Sequence, residues 1–145
     1  MKIASPVLIL GARSDIGRAL ARRYASGGHR VVLAARGDQD ADRRDLELRS
    51  GASVHTVVFD VTDGAPDAFF AALPEVPGTV VMVAGLLGVQ QQSAASDAAA
   101  ALVMNTNFVG PSRYLLAAAR VMSGRQDACI IGISSVAGER GRASN

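Results

Sequence analysis

Five short runs of apolar, largely β-branched residues recur along the chain: PVLIL (6–10), RVVLAA (30–35), SVHTVVF (53–59), TVVMVA (79–84) and ACIIGI (128–133). Runs this short, alternating with segments of helical length, predict parallel strands buried on both faces in βαβ units. Between the first two runs, Ile16, Ala19, Leu20 and Tyr24 repeat at the spacing of one helical face, and Gly27-Gly28 supplies a stop. Residues 38–50 are charged, with Leu46 and Leu48 their only large apolar side chains, which predicts an exposed helix at a sheet edge. Residues 66–73, PDAFFAAL, open on a proline suited to a first helical turn. Residues 94–122 are alanine-rich with Asn107, Gly110 and Pro111 in the middle, so they form one kinked helix or two; one bent element is favoured.

This order of elements predicts an α/β fold, a doubly wound parallel sheet of Rossmann-like type, in one unit spanning 1–145. The fifth run leads into SSVAGERGRASN, a polar loop followed by nothing, so the sheet is expected to be truncated after its fifth strand and the chain to be the front part of a longer one. A composition of 49% hydrophobic and 19% charged residues supplies enough apolar surface for a core and argues against disorder. With a net charge of only +2 and arginines scattered over several segments, no nucleic-acid partner is expected. The single cysteine, Cys129, lies in an apolar run, which predicts a core position, excludes an internal disulfide and fits a reducing compartment. MKIASPVLIL lacks the long apolar core of a leader, and no stretch approaches the roughly 20 apolar residues that cross a bilayer. No membrane insertion and a cytoplasmic location are expected.

The first run leads directly into Gly11-Ala12-Arg13-Ser14-Asp15-Ile16-Gly17 and then a helix. A strand, a glycine turn and a helix N-terminus offer free N–H groups and the positive end of the helix dipole to an anion, the arrangement that receives a pyrophosphate. The spacing is neither G-x-G-x-x-G nor that of a P-loop. Asp15 opposes an anion there. Its carboxylate suits a helix cap, and the flanking Arg13 and Arg18 can neutralise it or meet a phosphate themselves. A capped βα turn that binds nothing is the alternative.

The Gly11-x-x-x-Asp15-x-Gly17 turn resembles the G-x-x-x-G-x-G turn of the short-chain dehydrogenase/reductase family, with Asp15 in place of the second glycine. The resemblance implies that Gly11, Arg13, Ser14, Asp15, Ile16 and Gly17 hold a nicotinamide dinucleotide. At the end of the second run, Ala35 replaces the family's NAD-selecting acid and Arg36 resembles the arginine of NADP-using members. An arginine at this point suits a ribose 2′-phosphate, so NADP(H) is expected over NAD(H); alternatively Arg36 only begins the charged helix. FDVTD (59–63) resembles the family's Asp-Val pair, implying that Asp60 accepts from the adenine amino group and Val61 packs beside the ring. Asp60 or Thr62 also suits a helix cap. VMVAGLLG matches the family's Asn-Asn-Ala-Gly only in Ala84-Gly85, which implies that the cofactor lies against bare backbone there. Met82 and Val83 replace the two asparagines, whose structural role is met elsewhere or missing.

Asn107, followed by Phe-Val-Gly, resembles the family's helix-kink asparagine, whose carbonyl holds a water in the proton relay; Asn105 competes, and the spacing to Gly110 favours Asn107. IGISSVAG (131–138) resembles the family's serine motif. Ser135 takes the catalytic position, implying a hydrogen bond to the substrate carbonyl that stabilises charge developing on oxygen, with Ser134 as its partner or substitute. The family completes this site with Tyr-x-x-x-Lys. Neither Tyr24 nor Tyr114 has a lysine four residues on, and the only lysine is Lys2. The 145-residue chain is therefore expected to be inactive by itself, with the motif following GERGRASN in a longer protein. LGARSDIG, AGLLG and GISSVAGERGRASN together resemble bacterial members related to the reductase of a polyprenyl-phosphoryl keto-pentose. The resemblance implies a small-molecule carbonyl or alcohol substrate and, at full length, a homo-oligomer built through helices including the 94–122 region. The rivals are a catalytically inactive dinucleotide-binding sensor or scaffold of the same fold, and a domain that binds no nucleotide.

Overall fold

In the computed structural model, which describes residues 5–141, each apolar run contains one strand: β1 (Val7–Leu10), β2 (Val31–Ala35), β3 (Val54–Val58), β4 (Thr79–Met82) and β5 (Cys129–Gly132). Lys2 and the last four residues of the GERGRASN tail lie outside the described residues, and with them the expectations about a leader and a continuing site. The strands pair in parallel in the order β3-β2-β1-β4-β5. The winding reverses at β1. The chain steps outward through α1 (Asp15–Ser26) and α2 (Asp40–Ser50) to β3, then returns through α3 (Pro66–Ala71) to the other side of β1.

Strand pleating sends alternate side chains to opposite faces, so the sheet separates two cores. Leu8, Leu10, Val32, Ala34, Val80 and Met82 pack with Phe59, Phe70, Tyr114 and Ala117 on one face. Val7, Ile9, Val31, Leu33 and Val81 pack with Ala21, Ala25 and Leu46 on the other. β1 and β2, covered by crossovers on both sides, are buried along their whole length. α2 is the charged helix expected at the edge, with Leu46 buried and Leu48 exposed.

Two expectations about burial need correction. α1 buries Gly17, Ala21 and Ala25, with Leu20 and Tyr24 at the margin, while Ile16 and Ala19 are exposed. The cause is Gly17: a Cβ there would lie 2.7 Å from the Gly11 carbonyl oxygen, so the helix turns its glycine onto the loop after β1. Cys129 is exposed rather than in the core, because β5 pairs only with β4 among the described residues and its positions are exposed or half-buried.

The 94–122 region is one bent element from Asp97 onward: α5 (Asp97–Met104), a π-helical turn (Asn105–Val109) and α6 (Gly110–Val121). Its expected start belongs instead to a short separate helix, α4 (Gln90–Ala95), because Ser96 is extended and caps α5 by accepting the Ala99 N–H. Pro111 has no N–H to return to the Asn107 carbonyl, which breaks the α pattern. Gly110 then allows close contact with the loop after β3; a Cβ there would lie 2.1 Å from the Val61 carbonyl oxygen. Among the described residues no helix is long and apolar enough to cross a membrane.

Helix propensity favours alanine over glycine by about 0.5–1 kcal/mol, whereas forcing a methyl group into a packed interior costs about 1–3 kcal/mol. At Gly110 the obstacle is backbone, so the second effect wins. Gly110→Ala is expected to destabilise the chain by roughly 1–2 kcal/mol in denaturant unfolding. Gly138→Ala, where a Cβ meets nothing within 4 Å, should leave the midpoint nearly unchanged.

Candidate functional site

Because the winding reverses at β1, the chains leaving β1 and β4 turn to opposite faces and leave a crevice at their carboxyl ends. A cleft of about 570 Å³ opens there. Gly11, Arg13 and Ser14 line it after β1, Ala35 and Arg36 at the end of β2, Phe59 to Thr62 after β3, and Val83 to Leu86 after β4. Leu102 and Thr106 close it from the bent element.

Gly11 is required twice over: its φ is +98°, and a Cβ would lie 2.7 Å from the Ala84 nitrogen. Ser14 is extended and caps α1; its hydroxyl accepts the Gly17 N–H at 3.0 Å and donates to the Gly11 carbonyl at 3.0 Å. Asp15 is therefore not the cap. It occupies the first helical position, exposed to solvent and outside the cleft lining, where the helix dipole favours a carboxylate. Its flanking arginines do not neutralise it. Arg18 grips Asp42 of α2 through two hydrogen bonds of 3.1 and 3.3 Å, and Arg13 donates to the Arg36 carbonyl at 3.0 Å. Ile16 and Gly17 also lie outside the lining, Ile16 in solvent and Gly17 beneath the loop.

At the end of β3, the N–H and hydroxyl of Thr62 both donate to Asp60 Oδ1, at 2.9 and 2.7 Å. These bonds, with a smaller contribution from the Arg36 guanidinium 3.9 Å away, hold the Asp60 carboxyl below the usual carboxylate range. Asp60 closes its own turn. Neither it nor Thr62 caps α3, whose N-cap position is Ala65. Val61 is buried, and the Tyr114 hydroxyl donates to the Asp60 carbonyl at 3.4 Å. Tyr114 is thus a core residue under the cleft, its phenol pushed up mainly by burial.

Met82 and Val83, standing where the family has asparagines, pack into opposite cores. Asn107 braces the loop that follows them: its Oδ1 accepts the Leu86 N–H and its Nδ2 donates to the Leu86 carbonyl, both at 2.7 Å. Gly85 fits beneath this clamp, where a Cβ would lie 3.4 Å from Asn107 Oδ1. Asn105 gives only its carbonyl, to the Gly110 N–H that closes the π turn. Neither Asn107 nor Ser135 lines the cleft. Ser135 is exposed and opens a 3₁₀ turn, Val136–Gly138, by accepting the Ala137 N–H at 3.1 Å. The Ile133 N–H bonds the Met82 carbonyl at 3.0 Å, which brings the carboxyl end of β5, and with it Ser134 and Ser135, to the same end of the sheet as the cleft.

A family model described as short chain dehydrogenase matches residues 5–145. The chain belongs to the short-chain dehydrogenase family. It is 39% identical over 149 residues to an uncharacterized oxidoreductase of Mycobacterium tuberculosis, covering 98% of this chain and 59% of that protein. It is similar to a solved variant of actinorhodin polyketide ketoreductase with NADPH: 28% identity, TM-score 0.84, 97% of this chain and 57% of that one. It is also similar to a short-chain dehydrogenase from Sphingobium yanoikuyae in complex with NADPH: 26% identity, TM-score 0.78, 96% and 57% covered. This short-chain dehydrogenase chain thus spans less than two thirds of the length of those relatives.

Sequence motifs do not single out Leu102 and Thr106. Their trace in the sequence is a four-residue spacing that places both on one helical face, where the Thr106 hydroxyl donates to the Leu102 carbonyl at 2.7 Å.

The lowered Asp60 pKa makes stability depend on pH with a definite sign. A carboxyl held below its unfolded value of about 3.9 adds stability above that pH and loses it as the pH falls through the folded value. Asp60→Asn should lower the thermal midpoint near neutral pH, and its difference from the unsubstituted chain should shrink progressively as the pH falls below about 3.9. A difference that stays constant across a pH series of melts would show that the carboxylate charge contributes nothing there.

Proposed function

We propose that this chain is the cofactor-binding part of an NADP(H)-dependent oxidoreductase that moves hydride between nicotinamide and a carbonyl or secondary-alcohol carbon of a small molecule. The observation that carries this reading is the positive end of the cleft. Arg13 is fixed on the Arg36 carbonyl, and the Arg36 side chain, part of the lining, is 81% exposed, with Ala35 where an acid would reject a 2′-phosphate.

The residues present fit a dinucleotide. Gly11 passes so close to Ala84 that a Cβ on it would lie 2.7 Å from the Ala84 nitrogen, which keeps this part of the turn bare of side chain. The first amides of α1 have no partners within the helix, so Asp15 and Ile16 serve a pyrophosphate through backbone N–H groups. Asp60, preset by Thr62, presents an acceptor for an adenine amino group, with Val61 beside the ring. When bound, the nicotinamide supplies the hydride chemistry. Ser135 hydrogen-bonds the carbonyl oxygen and stabilises charge that develops on it, and Asn107 holds the Gly85–Leu86 loop in place. Exposed Met104, Phe108 and Leu116 along the bent element support homo-oligomer formation through that surface. A reducing cytoplasm, which keeps the exposed Cys129 thiol free, fits the same reading.

Nicotinamide fluorescence titrations with NADPH and NADH test it. Arg36→Ala should weaken NADPH binding by roughly tenfold, the value of one charge-assisted contact, and NADH binding much less. Equal losses would show that Arg36 does not read the 2′-phosphate. The absence of a saturable response to either nucleotide would remove the cofactor assignment.

A further inference from the structure

Among the described residues, Gln39 is the one polar side chain buried as deeply as the core, at 5% exposure. It stands just before α2 and reaches back beneath the loop that carries Arg36. Its Nε2 donates to the Val57 carbonyl at 3.0 Å and to the Ala35 carbonyl at 3.5 Å, while its Oε1 is buried with no partner among the described residues. An unpaired buried acceptor destabilises a fold, and an apolar side chain of the same length would fill this space without that cost. Packing alone does not account for an amide here.

The two carbonyls it holds mark the place where β2 and β3 stop pairing. Their last rungs are Ala34 with Val57 and Ala35 with Val58, followed by the Phe59 N–H on the Ala35 carbonyl at 3.1 Å. Beyond this point the chains part, one carrying Arg36 and the other Asp60, whose charged groups stand 3.9 Å apart at the cleft wall. The loop between β2 and α2 is pinned in front by Arg13 on the Arg36 carbonyl and behind by Gln39, with Gly37 at φ +73° between them. Gln39 is not itself in the cleft lining, but the Ala35 carbonyl it holds belongs to a lining residue next to Arg36.

We propose that Gln39 is a positioning residue for cofactor choice: by tying the ends of β2 and β3 together it holds Arg36 at the distance from Asp60 that favours a ribose 2′-phosphate over a free hydroxyl. This rests on the reading of the cleft as a dinucleotide site. The test compares NADPH and NADH affinities, by fluorescence titration, for the unsubstituted chain, Gln39→Met, Gln39→Leu, and Gln39→Met combined with Arg36→Ala, with thermal melts of each. Either apolar substitution should lower the NADPH-to-NADH affinity ratio by roughly tenfold while the melting midpoint holds or rises, and should change the ratio no further once Arg36 is gone. An unchanged ratio in a folded variant overturns the proposal, as does an equal change in the Arg36→Ala background. If the unsubstituted chain binds neither nucleotide, the dinucleotide reading falls and this proposal with it, a result distinct from intact binding with an unmoved ratio.

Discussion

The structure turns on a place where two backbones touch with no side chain between them. Gly11 leaves β1 at positive φ against the amide of Ala84 leaving β4, and no other residue type fits both the torsion and the gap. β1 is the strand at which the winding reverses, so among the described strands its carboxyl end is the one whose neighbours on either side lead to opposite faces. The crevice exists because the chains diverge there.

A second set of contacts determines which way the cleft walls face. α6 presses on the loop after β3 through Gly110 and Val61, and Tyr114 supports the Asp60 carbonyl from the core. Phe59 meets Tyr114 edge-on at 4.9 Å between ring centroids, which makes that support stiff. The same bent element sends Asn107 to the Leu86 loop and brings Leu102 and Thr106 over the opening. One irregularity in one helix thus shapes three sides of the site, and such π turns persist where the surroundings compensate for their poorer local geometry.

Charge around the cleft is arranged by division of labour among the arginines. Arg18 lines the cleft while held by Asp42 across the α1–α2 contact; Arg13 is fixed on the Arg36 carbonyl; Arg36 keeps most of its surface in solvent. Asp15 sits at the first turn of α1 with no ion-pair partner among the described residues, stabilised by the helix dipole rather than by a neighbour. The Asp15 side chain is exposed, and Asp15 lies outside the cleft lining.

Strand positions, the parallel order of βα units and most of the cleft residues were legible in the amino-acid sequence, because continuous apolar runs and glycine turns are local patterns that tolerate few other structures. Gly11, Arg13 and Ser14 follow from the glycine turn after β1, and Arg36, Asp60, Val61, Ala84 and Gly85 from the family resemblance at the ends of the next strands; all line the cleft. The rest depended on contacts between distant segments, which no local period records. Ser14 rather than Asp15 caps α1 because its hydroxyl lies within reach of both Gly11 and Gly17 once the turn has closed. Gly17, not Ile16, faces the sheet because the loop after β1 leaves no room for a Cβ. Cys129 is apolar in sequence context yet exposed, because burial is conferred by neighbouring elements and β5 has strand pairing on one side only among the described residues. Which residues could form strands and turns was a property of the chain. Which side chains those elements would bury, clamp or aim was decided by tertiary packing, since that depends on separations of a few tenths of an ångström between segments remote in sequence.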